Sequence, residues 1–107
     1  MIKGIDVNQR LEYVSKYDDA EPKTVFIFRP LTAEEKNNLS DDSGTVKLVG
    51  TKIFDFLEKT IVEIRNFPIA GTIREQLNSI SDENIVVELI QESGKLSNMT
   101  RQDQKNS

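Results

Sequence analysis

The side chains that could do chemistry in this 107-residue chain are almost all carboxylates, because it has no His, no Cys and no Trp. Without those residues there is no thiolate, no imidazole–hydroxyl pair and no zinc site of the usual composition. Asp18, Asp19 and Glu21 form one acidic cluster and Asp41 with Asp42 another. Either could offer oxygen ligands to a hard cation. Neither has the calcium-loop spacing of a Gly at the sixth and a Glu at the twelfth position, and both flank turn residues, so solvated loops are the reading. Glu34/Glu35, Glu58/Glu63 and Asp82/Glu83 could pair for acid–base work. They fall on helix starts or polar helix faces, where water keeps acids ionised. No acid and no Lys falls on a predicted apolar stripe, and Lys52, Lys59 and Lys95 read as exposed. Serines therefore lack a base to activate them.

The glycines at 4, 44, 50, 71 and 94 match no phosphate-binding spacing. Phe26 and Phe28, with Lys23 and Arg29, could stack the bases of a single strand. Against that stands the charge: 14 Lys and Arg against 18 Asp and Glu leave −4, and no basic stripe exists. The longest apolar run is Val25-Phe26-Ile27-Phe28, far too short to span a bilayer. Residues 1–6 lack the apolar core of a signal peptide, so the cytoplasm of the producing cell is the expected location. The residues thus predict a protein without catalysis, metal, cofactor, nucleic-acid or membrane chemistry.

The elements that must position these residues can be read from periodicity. In residues 1–22, Val7, Leu11 and Val14 keep a helical spacing, while alternation across 11–15 suits a short strand; both readings stand. Pro22 closes this arm. Residues 24–29 form the clearest strand, stopped by Pro30. Its two faces are both apolar, Val25 and Ile27 on one and Phe26 and Phe28 on the other. Either helices cover both sides or one side meets another chain. Thr32-Ala33-Glu34-Glu35 is a capping box opening a helix over 33–39. Residues 40–44 are turn chemistry, and 45–49 alternate as a strand or an extended lead. From 51 to 65 the spacing of Ile53, Leu57, Ile61 and Ile64 predicts a helix ended by Asn66-Phe67-Pro68. Thr72-Ile73-Arg74-Glu75 repeats the capping pattern. Ser81 opens a last helix buried through Ile85, Val86, Leu89 and Ile90, with Gly94 placing its end near Ser93.

The expected fold is a small single α+β domain: two to four helices packed on a short antiparallel β element. Residues 1–22 are an N-terminal arm, 23–96 the globular domain and 97–107 a mobile polar tail. The expected core is Val25, Ile27, Leu31, Ile53, Leu57, Ile61, Ile64, Ile85, Leu89 and Ile90.

Three stretches carry a resemblance. Leu11-Glu12-Tyr13-Val14-Ser15-Lys16-Tyr17-Asp18, followed by Glu21-Pro22-Lys23-Thr24-Val25-Phe26, resembles the opening of small proteins from the structural gene modules of tailed bacteriophages. Phe28-Arg29-Pro30-Leu31-Thr32-Ala33-Glu34-Glu35 is similar to the strand, Pro-Leu-Thr and acidic helix start of phage tail assembly chaperones. The third stretch runs from Val87-Glu88-Leu89-Ile90 to Leu96-Ser97-Asn98-Met99-Thr100 and Lys105-Asn106. The resemblance implies a non-enzymatic morphogenesis protein that works in the host cytoplasm and binds another phage structural or tape-measure protein. Retention in the virion and a homo-oligomer remain open. The alternative it leaves is a virion structural protein of the head or head–tail connector. Phe26, Phe28 and Arg29 are the expected partner-binding residues.

Overall fold

The computed structural model describes residues 1–2, 4–39 and 48–106, the last ten as backbone only. The described chain is an α+β domain with the order β1 (Leu11–Val14), β2 (Val25–Phe28), α1 (Ala33–Leu39), α2 (Thr51–Thr60), β3 (Ile61–Arg65), α3 (Ile73–Asn78) and α4 (Glu83–Asn106). The strands form an antiparallel sheet in the order β1-β2-β3. The strand reading of 11–14 therefore holds over the helical one. Residues 1–22 are not a separate arm, since β1 within them pairs with β2 from Leu11↔Phe28 to Val14↔Val25.

The main departure lies at residues 51–65. The helix stops at Thr60 and β3 begins at the next residue, with Ile61 already extended. Ile61 pairs opposite Phe28 and Ile64 opposite Phe26, with a register shift between Ile27 and Phe28. Two residues of β2 thus span three of β3. In a regular strand, Ile61 and Ile64 would point to opposite faces; the bulge turns both inward and leaves Val62 and Glu63 outward. A spacing of three, which reads as one side of a helix, is here one side of a bulged strand. The β-branched Ile61, Val62 and Ile64 favour the extended form. The backbone N–H of Arg29 donates to the Thr60 carbonyl at 3.0 Å, tying the junction to the end of β2.

Both capping patterns are present. The Glu35 N–H donates to Thr32 Oγ1 at 3.2 Å, and the Thr32 N–H donates to Glu35 Oε1 at 2.9 Å. At α3 the Glu75 N–H donates to Thr72 Oγ1 at 3.2 Å, and that hydroxyl donates to Glu75 Oε1 at 3.1 Å. Asn66, in the left-handed region at φ 58°, turns the chain out of β3.

The core lies between the sheet and the helices. Phe26, Phe28, Leu31, Leu39, Phe56, Leu57, Ile61, Ile64, Leu77, Val86, Leu89 and Ile90 form one cluster. Val25, Ile53 and Ile85, expected in the core, are only half-buried. Gly94 does not end α4, which continues to Asn106. A Cβ on Gly94 would stand 3.1 Å from Leu39 Cδ2, so the glycine lets α1 approach α4 closely. The expected turn at 40–44 and the start of the 45–49 segment lie outside the described residues. So do the side chains of the expected mobile tail.

Candidate interaction surface: the outer face of the sheet

Phe26 and Phe28 point to the helical side and are 3 % and 0 % exposed. As direct partner-binding groups they are corrected: the helices cover that face, and both rings belong to the core. Their sequence signal was sound as to burial, since aromatic strands fill cores and interfaces alike. Arg29, the third expected residue, is held in place. Its Nη1 and Nη2 donate to Glu35 Oε1 and Oε2, both at 2.7 Å, and the pair is mostly buried. The forked bond to Arg29, joined by the Thr32 N–H, holds the Glu35 carboxyl below its usual range. The fork joins the end of β2 to the first turn of α1.

One acid escaped the sequence reading. Glu88 of α4 is 6 % exposed and accepts from Tyr13 Oη at 2.8 Å, Ser15 Oγ at 2.5 Å and the Lys16 N–H at 3.1 Å. It borders the apolar stripe, one residue before Leu89, where the periodicity placed no acid. Burial first, and then the bond to Glu88, push the Tyr13 phenol above its ordinary value. With three donors converging on it, Glu88 anchors α4 to β1. The alternation of Tyr13 and Ser15, two hydroxyls on one side of a strand, was the available signal.

Among the described acids, Asp18 and Asp82 do local structural work, while the Asp41–Asp42 cluster lies outside the described residues. Asp18 accepts from the Thr24 N–H at 2.8 Å and the Ala20 N–H at 3.2 Å, and the first of these bonds chiefly lowers its carboxyl. Asp82 accepts from the Asn84 N–H at 3.0 Å at the start of α4. Among the described residues, no three metal-ligating side chains come together. Nor is any helix among them long and apolar enough to cross a membrane. Two concavities lie beside these groups. One, of about 310 Å³, is bounded by Tyr17, Asp18, Phe67 and Ile80; the other, of about 650 Å³, lies between α1 and α2 beside Glu34, Lys52 and Phe56.

Among the described residues, no helix lies over the opposite face of the sheet. Strand alternation and the register turn Glu12 and Val14 of β1, Val25 and Ile27 of β2, and Val62, Glu63 and Arg65 of β3 outward. The central strand is apolar along this whole face. Val14 is 41 % and Val62 45 % exposed, whereas Ile27 is only 4 % exposed although it lies outside the core cluster. What covers it is charged. Arg65 Nε pairs with Glu63 Oε2 at 2.5 Å, and Arg65 Nη1 reaches Glu12 Oε1 at 3.4 Å. Glu12 and Arg65 stand on the two outer strands, opposite Ile27 and Val25 respectively, so the link crosses β2 diagonally between these two residues. A groove of about 520 Å³ remains, with Ile27 and Val62 along its floor and Arg10, Glu12, Glu63 and Arg65 on its rim.

An antiparallel sheet that shows one face to water normally alternates apolar inside with polar outside. This sheet keeps the rule on β1 at Glu12 and breaks it along β2. The fold is a small α+β domain whose described helices pack on one face of its sheet. No family model, curated protein or solved structure matches the chain.

Proposed function

We propose that this chain is a bacteriophage morphogenesis protein of the tail assembly chaperone kind, binding another phage protein without catalysis. The observation that carries the binding reading is the outer sheet face, where Val14, Val25, Ile27 and Val62 lie with no helix over them among the described residues. The phage setting rests on the sequence resemblance. A binding protein needs a surface whose burial releases free energy, and apolar area does so at about 25 cal/mol per Å². The absence of His and Cys and the structural employment of Asp18, Glu35, Asp82 and Glu88 support a non-enzymatic role.

The test is genetic and compositional. Deleting the gene from its phage should abolish complete tails, and mass spectrometry of purified wild-type particles should find the chain absent. Its presence in particles would instead assign it to the virion structure. Normal particles from the deletion strain would overturn the morphogenesis reading altogether.

A further inference from the structure

We draw no further inference here: the strongest candidate, the concavity of about 310 Å³ between the loop joining β1 to β2 and the start of α4, with Phe67 and Ile80 beside Asp18, Asp19 and Asp82, carries nothing, because Asp18 and Asp82 are engaged by backbone N–H groups of their own turns and nothing in the structure shows what covers its apolar part.

Discussion

The two faces of one three-stranded sheet have been put to different uses. On the inner face, Phe26, Phe28, Leu11, Tyr13, Ile61 and Ile64 meet four helices, and the strands' apolar residues join one cluster with Leu57, Leu77, Leu89 and Ile90. On the outer face, the aliphatic side of the same strand, Val25 and Ile27, is crossed among the described residues by a charged link. Along β2 both faces are apolar, aromatic at Phe26 and Phe28 inside and β-branched at Val25 and Ile27 outside; what also differs is what the described chain brings over them. Burial under helices fixes the fold, while the apolar column on the other side lies under exposed charged side chains. The comparison can be broken at either face.

The largest effect belongs to the inner face. Phe28→Ala should destabilise the domain by about 3–5 kcal/mol, the range for large aromatic truncations in a packed core. Urea unfolding measures it. A loss near zero would mean that the helices do not close on β2. The next effect belongs to the polar anchor on the same side. Glu88→Ala leaves the Tyr13 and Ser15 hydroxyls and the Lys16 N–H without their acceptor, at a cost of about 2–3 kcal/mol. The raised Tyr13 pKa adds a pH signature. Below the phenol's unfolded value its contribution is complete; as pH climbs above about 10 the unfolded chain loses its proton first and stability falls. Glu88→Ala should flatten that alkaline decline.

Arg29→Ala should cost about 1–2 kcal/mol, since it removes a forked, mostly buried pair. The Glu35 carboxyl has a lower pKa folded than unfolded. Its contribution is therefore present above the unfolded value and is lost as pH falls through the folded one. The gap between wild type and Arg29→Ala should be constant at neutral pH and close below about pH 4. The smallest effect belongs to the outer face. Arg65→Ala should change stability by less than about 1 kcal/mol, while uncovering Ile27, a change that hydrophobic-dye binding would register.

The sequence carried the signals that depend on near neighbours. The Thr32/Glu35 capping box, the stop at Pro30, the turn at Asn66 and the buried set of α4 all follow from residues within one helical turn or one strand of each other. The apolar nature of both faces of β2 was equally plain, and it raised the choice that the fold resolves in favour of one open face. What failed needed long-range knowledge. Ile61 and Ile64 satisfy helical spacing, and only pairing with Phe28 and Phe26 through a bulge makes them strand residues. Gly94 reads as a helix end until Leu39, far earlier in the chain, is brought against it. Glu88 looks solvated until Tyr13 and Ser15 are carried to it from β1. The assignment of Phe26 and Phe28 to a partner reversed for the same reason: alternation gives two faces and does not say which one the helices take.

The inner face holds the molecule together, and the proposed function assigns partner binding to the outer face. The double variant Val14→Asp/Val62→Asp tests it most directly, by a thermal melt together with complementation of a deletion of the gene. Both side chains lie outside the core cluster and are 41 % and 45 % exposed, so the melting temperature should fall by less than about 5 °C, the shift of roughly 1 kcal/mol in a domain of this size. Complementation should nevertheless be lost. A variant that melts normally and complements fully would contradict the account.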